Sequence, residues 1–129
     1  MTVSTRVRAE ERIVVGNIEG DLTPGQWLDG LRAVLDDPGY CLDFDEIWDL
    51  RACTSLLGCW EEVERFLGAL ALLRPEESPR RVALVVDNDD DLAMARILEE
   101  HARDLCKAFR SLDRAEDWIG HDAQIFPAC

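Results

Sequence analysis

Two hydrophobic periods alternate along this chain, and the switches between them mark its elements. Val3 to Arg8 and Ile13 to Gly20 are β-like runs separated by Ala9-Glu10-Glu11, a gap short enough for an antiparallel hairpin. From Trp27 the period changes, and Trp27, Leu28, Leu31, Val34 and Leu35 recur at helical spacing. Thr23-Pro24-Gly25-Gln26 supplies the helix start, with Thr23 as cap, Pro24 at the first helical position and Gln26 completing a capping box. Pro38-Gly39 stops the helix. Asp36 and Asp37 stand at the end where the macrodipole disfavours negative charge.

The stretch EIWDLRACTSLLGCWEEVERF, from Glu46 to Phe66, organises the rest. Ile47, Trp48 and Leu50 have the bulk of a buried strand, Asp49 and Arg51 put charge where it should end, and Ala52 to Leu57 read as a polar loop. Trp60, Val63, Phe66, Leu67 and Leu70 form the apolar side of a second helix. Arg74-Pro75 and Ser78-Pro79 punctuate a surface loop. Arg81 to Val86 is then a strand apolar on both faces, as expected inside a covered parallel sheet. Asp87 to Asp91 leads into a third helix, with Met94, Leu98, Ala102 and Leu105 on one stripe. Lys107 to Ser111 reads as a short last strand around Phe109. Asp113 and Glu116 offer a capping box for a short fourth helix closed by Gly120. The pattern predicts one α/β domain over residues 1–120 and an irregular tail over 121–129. An N-terminal hairpin followed by alternating strands and helices gives about five strands and four helices in a mixed, mostly parallel sheet.

Composition changes this picture in three places. With 129 residues, 47% of them hydrophobic, the chain can bury one real core. No apolar run approaches a membrane span and Thr2 to Arg12 lacks a signal-peptide core, so a soluble cytoplasmic protein is expected. Lys and Arg total 14 against 27 for Asp and Glu, a net charge of −13. Such a surface repels phosphate backbones and anionic lipid, so neither nucleic acid nor membrane is an expected partner; Arg74, Arg80 and Arg81 cluster locally. Five cysteines at irregular spacing, with no C-x-x-C, predict reduced thiols used as small core hydrophobes rather than a disulfide framework or a zinc site.

Several short motifs resemble the SpoIIAA-like family, which includes the STAS domains of anti-sigma-factor antagonists. They are Gly20-Asp21-Leu22-Thr23 before the first helix, Asp49-Leu50-Arg51 on the organising strand, and Val82 to Val86 followed by Leu92-Ala93-Met94-Ala95-Arg96. The closing Phe109 to Trp118 segment, with Ala115-Glu116-Asp117-Trp118, is a further match. The resemblance spans roughly Val3 to Ile119 and implies a regulatory interaction module. STAS antagonists carry a phosphorylatable serine in a D-S-x-G-like turn. Here the corresponding residues are Cys53-Thr54-Ser55-Leu56-Leu57-Gly58, with no aspartate before Ser55 and no glycine two residues after it. Thr54 and Ser55 therefore read as loop hydrogen-bonders or caps.

Other chemistry is thinly represented. Asp87-Asn88-Asp89-Asp90-Asp91 has the alternation of a calcium loop, but Leu92 replaces the turn glycine and Leu98 the bidentate glutamate, so helix capping explains the run. Asp49 and Asp87 fall at the ends of neighbouring strands near Arg51, where pairing is expected rather than acid–base work. His101 reads as a partly buried packing residue of the third helix. No catalytic motif, no cofactor loop and no metal-ligand set is legible, so an enzyme is not expected. The expected site is the strand-loop-helix rim at 49–61, comprising Asp49, Arg51, Thr54, Ser55, Gly58, Trp60 and Glu61, with Asp87 alongside. A protein partner is expected there. The alternative is a carrier or sensor holding a small apolar ligand in an α/β pocket lined by Trp27, Trp48, Trp60 and Phe66, as in the lipid carriers of this general fold type. The second face of Arg81 to Asp87, with Ala83 and Val85, needs a cover, for which a homodimer is the simplest candidate and a curled sheet or the C-terminal tail the others.

Overall fold

The computed structural model describes residues 2–41, 43–56, 60–73, 80–101 and 105–120. Strands β1 (Thr2–Arg8) and β2 (Ile13–Leu22) form the expected antiparallel hairpin. Its turn needs a left-handed residue, and Arg12 takes that conformation at φ 58°. Asp43 offsets the strain by accepting from the Arg12 guanidinium at 2.7 Å, and the Phe44 ring lies 5.1 Å beneath the same group. Helix α1 (Pro24–Leu35) begins with the predicted Thr23–Gln26 capping box. Asp37, which opposes the helix dipole, is used locally instead: its carboxylate accepts from the Gly39 amide at 2.8 Å and holds the following turn.

Strand β3 (Asp45–Leu56) pairs parallel with β2 and with β4 (Arg81–Val85), and β5 (Leu105–Phe109) closes the parallel side. The sheet order is β1-β2-β3-β4-β5. Helices α1, α2 (Trp60–Leu73) and α3 (Asp89–His101) cover one face, around Ile18, Trp48, Leu50 and Leu84. Helix α4 (Leu112–Gly120) covers the other, against Ile13, Ile47, Ala83 and Val85. The second face of β4 is therefore covered from within the chain, by the fourth helix rather than by a second copy.

Packing on the three-helix face turns on one close approach. Gly16 and Trp48 are register neighbours on β2 and β3, and a Cβ on Gly16 would stand 2.2 Å from the Trp48 ring. Glycine is required there because the indole occupies the space of a side chain. Trp48 then meets Trp27 edge-on at 5.8 Å, and Trp27 stacks on Phe66 at 4.5 Å, tying β3 to α1 and α2. Such pairs add about 0.5–1.5 kcal/mol each beyond the area they bury.

Four boundaries differ from the expectation. Residues 52–56 belong to β3 rather than to a loop. Leu105 starts β5 instead of extending the α3 stripe. α4 begins at Leu112 with Ser111 before it: the Ser111 carbonyl accepts from the Ala115 amide at 3.1 Å and its hydroxyl from the Arg114 amide at 3.4 Å, the role assigned to Asp113. Gly120 is the last residue of that helix, not its stop. Ala102 of the expected stripe, the Arg74–Pro79 loop and the 121–129 tail lie outside the described residues.

Candidate functional site

The expected rim is split by the extension of β3. That strand pairs with β4 only from Glu46 to Asp49, yet it stays paired with β2 as far as Leu56. Two register shifts, between Asn17 and Glu19 and between Gly20 and Asp21, let the longer strand keep pace with β2, and Gly20 takes φ 86° at the second. Beyond Asp49, then, β3 has a strand neighbour on one side only among the described residues. Arg51, Ala52 and Thr54 are exposed there, while Cys53 turns inward and its thiol points to the Ile18 carbonyl at 3.6 Å. Burial, followed by the charges of Asp91 and Asp49, pushes that thiol up to about 11, so it is a protonated packing group.

At the point where β4 stops, Asp49 and Arg51 form a bidentate pair, with Nε donating at 2.9 Å and Nη2 at 2.8 Å. Asp49 also accepts from the Arg51 amide at 3.1 Å, so its side chain satisfies a backbone donor of this segment. Hydrogen bonding from Arg51 holds the Asp49 carboxyl below its usual range, against an opposing push from burial. Asp87 joins these two in a concavity of about 390 Å³ with Asn17, Glu19 and Ala52. Higher on the strand, the Thr54 hydroxyl donates to the Asp21 carboxylate. Ser55 lies in register with Asp21 through its backbone; its side chain, and all of Gly58, lie outside the described residues.

Trp60 and Glu61 are elsewhere. Trp60 is 44% exposed, and its ring packs edge-on against His101 at 5.0 Å. His101 ends α3, whereas Asp87 precedes its start, and thirteen residues of helix separate those ends by about 20 Å. The eight expected site residues therefore do not form one patch. His101 itself is exposed rather than partly buried, with Nδ1 2.9 Å from the Ile97 carbonyl. Conversely, Arg110 was not expected near this rim, yet its guanidinium donates to Asp89 at 2.7 Å and to the Asp87 carbonyl at 3.1 Å. Its place beside Asp87 follows from the β4–β5 pairing, which no local pattern announces.

The acidic run is used for capping. Asn88 Oδ1 accepts from the Asp91 amide at 2.8 Å, and Asn88 Nδ2 donates to the Asp91 carboxylate at 2.9 Å. Among the described residues, no three His, Cys, Asp or Glu side chains converge as a metal-binding group. The reduced-thiol expectation fails at Cys41, which is disulfide-bonded, while Cys53 and Cys106 keep their thiols. No described helix is long and apolar enough to cross a membrane.

The aromatic cluster encloses a cavity of only about 40 Å³, lined by Trp27, Trp48, Phe66 and Leu98 among others. Trp60 takes no part in it. Glu46 is on the wall, fully buried, and accepts from Trp48 Nε1 at 2.9 Å. Since a water needs roughly 10–15 Å³ of such space, the cavity suits a few waters, and the aromatic residues otherwise pack against one another.

Neither family models nor curated proteins yield a match to this sequence. Among solved structures, the chain is similar to an uncharacterised protein of the DUF3478 family from Shewanella loihica PV-4, which has a SpoIIAA-like fold. The two are 17% identical and superpose with a TM-score of 0.62 over 92% of each chain. At that identity the likeness is one of architecture, and the strand order and helix placement above agree with it: this chain has a SpoIIAA-like α/β fold.

Proposed function

We propose that this protein is a non-catalytic interaction or regulatory module that reads a protein partner at the outer half of β3. The observation that carries this reading is the extension of β3 past β4: it displays Arg51, Ala52 and Thr54 on a segment held by β2 alone. Backbone positions there are fixed by pairing while side chains reach solvent, as recognition requires. The Asp49 carboxylate blocks the Arg51 amide and the two register shifts twist the edge, so side chains rather than indiscriminate strand addition set the choice of partner. The apolar-carrier alternative lacks a matching observation, since the aromatic cluster surrounds no ligand-sized space.

The test is Ser55→Glu, which adds a negative charge to the outer half of β3, at a position whose backbone is in register with Asp21. Proteins retained by the wild-type chain from its native host's lysate would be quantified against those retained by this variant and by Arg32→Glu, an exposed change on α1. About tenfold weaker retention of a specific partner by Ser55→Glu alone is expected, because an added rim charge disrupts complementarity. Equal losses for both variants, or none for Ser55→Glu, would remove the outer half of β3 from the functional account.

A further inference from the structure

Basic residues are scarce in this chain, yet four of them converge on one concavity. Arg96 on α3, Lys107 on β5, Arg110 after β5 and Arg114 on α4 line a space of about 410 Å³ at the edge of the sheet. Leu92, Ala108, Phe109 and Ser111 complete its wall, and no acidic residue lines it among the described residues. With 27 carboxylates in the sequence, neutralisation would be the easy outcome. Among the described residues, Arg110 alone of the four is ion-paired, with Asp89 at 2.7 Å. Arg96 and Arg114 make no ion pair among the described residues, and Lys107 contacts the Phe109 ring, with Nζ 5.5 Å from its centroid. Glu99 of α3 reaches the wall beside the concavity, where its carboxylate accepts from the Ala108 amide. Arg96, Lys107 and Arg114 are exposed cations lining one concavity, where they repel one another, and a bound anion reduces that cost.

We infer that this concavity is a binding site for a phosphate monoester. Two guanidiniums suit the planar, bidentate recognition of phosphate oxygens, and the lysine adds a point charge. The Ser111 hydroxyl and the α4 N-terminus lie on the same side and favour negative charge. Phe109 and Leu92 offer an apolar wall to whatever the phosphate is attached to, and the volume falls in the range of small-ligand sites. The net charge of −13 does not forbid this. At physiological salt, fields are screened over about 8 Å, so a single phosphate responds to the local cluster whereas an extended polyanion meets the acidic surface as well. The site is independent of the β3 rim, and its failure leaves that reading untouched.

The experiment is titration of the isotope-labelled full chain, followed by amide NMR, at ionic strength held constant with potassium chloride. The probes are inorganic phosphate, phenyl phosphate, a short phosphoserine peptide and hexaglutamate. Saturable shifts at 107–114 with the phosphate probes are expected, weakened on the order of tenfold or more in Arg96→Gln/Arg114→Gln, since charged hydrogen bonds are the strong ones. Arg32→Gln, which removes a positive charge elsewhere, should bind as the wild type does. Phenyl phosphate tighter than the peptide identifies a small organic monoester as the source; the reverse order identifies a phosphorylated protein. Lys107→Gln gives the same answer if the double variant melts early by circular dichroism. The inference is overturned by shifts that chloride reproduces, by variants that bind unchanged, or by hexaglutamate binding at these residues more tightly than any phosphate.

Discussion

The two halves of β3 share one strand and differ in almost everything else. From Glu46 to Asp49 it has strand neighbours on both sides, and Glu46, Ile47 and Trp48 are buried. From Leu50 to Leu56 it has only β2, and Arg51, Ala52 and Thr54 face solvent. In the first half every side chain is constrained by a neighbour: Trp48 by Gly16 and Glu46, Ile47 by α4. In the second, only Leu50 and Cys53 turn into the core among the described side chains, and the exposed residues make polar contacts: Thr54 to Asp21, Arg51 to Asp49. A strand can thus be structural at one end and available for recognition at the other. The boundary is set by where its neighbour stops, not by its own residues.

The largest expected effect tests the packed half. Gly16→Ala puts a methyl inside the Trp48 ring, and the indole is buried and held by Glu46 and Trp27. Overpacking of this kind costs about 3 kcal/mol. Ala52→Val, the matching enlargement in the outer half, should stay within about 0.5 kcal/mol of the wild type. Urea denaturation of the two variants decides the matter, and equal losses would mean that the outer half is packed as tightly as the inner.

A smaller effect concerns the polar contacts that hold the outer half. Thr54→Val keeps the shape and removes the hydroxyl donor to Asp21. As the pair is exposed, the loss should be below about 1 kcal/mol, with faster amide exchange confined to the outer residues of β2 and β3. Exchange that also accelerates at Glu46 to Trp48 would show the two halves to be one cooperative unit.

The smallest effect is a difference of sign. Asp45 and Asp49 lie four residues apart on β3, but burial raises the Asp45 pKa, against lowering by the Arg81 amide bond and charge, while the Arg51 hydrogen bond lowers that of Asp49. Asp49 contributes stability above its unfolded value, and loses it as pH falls through the lowered folded value. Asp45 acts in the opposite sense: its contribution is fully present below the unfolded value and is lost as pH rises through the raised folded value. Compared with their Asn variants, Asp49 should therefore show its pH dependence on the acid side of about pH 3.9, and Asp45 on the alkaline side with the opposite slope. Melting curves from pH 2 to 7 would show the two slopes, and slopes of the same sign would contradict the assigned environments.

Read from sequence, the hairpin, the Thr23 cap, the end of α1 before Pro38-Gly39 and the β4 run were all correct, because each depends on residues within a few positions of one another. The alternation of strands and helices was enough to predict a mixed sheet for the same reason. The SpoIIAA-like architecture was legible from the short motifs that resemble that family, set in this order of elements. What sequence reasoning missed lies where distant segments meet. Ala52 to Leu56 have loop-like composition, yet pairing with β2 makes them strand. Asp49, Arg51 and Asp87 do share one concavity, because Asp49 and Arg51 sit where β4 leaves β3 and Asp87 follows the end of β4. Trp60 does not join them, and the direction in which α2 leaves the ribbon is invisible in its own pattern. The cations of α3, β5 and α4 are spread over nineteen positions, from 96 to 114, and only the packing of two helices around the edge strand brings them together. Local spacing determines which elements form; the partners that each element meets are decided by tertiary contacts, because burial and charge pairing act between residues that the sequence holds far apart.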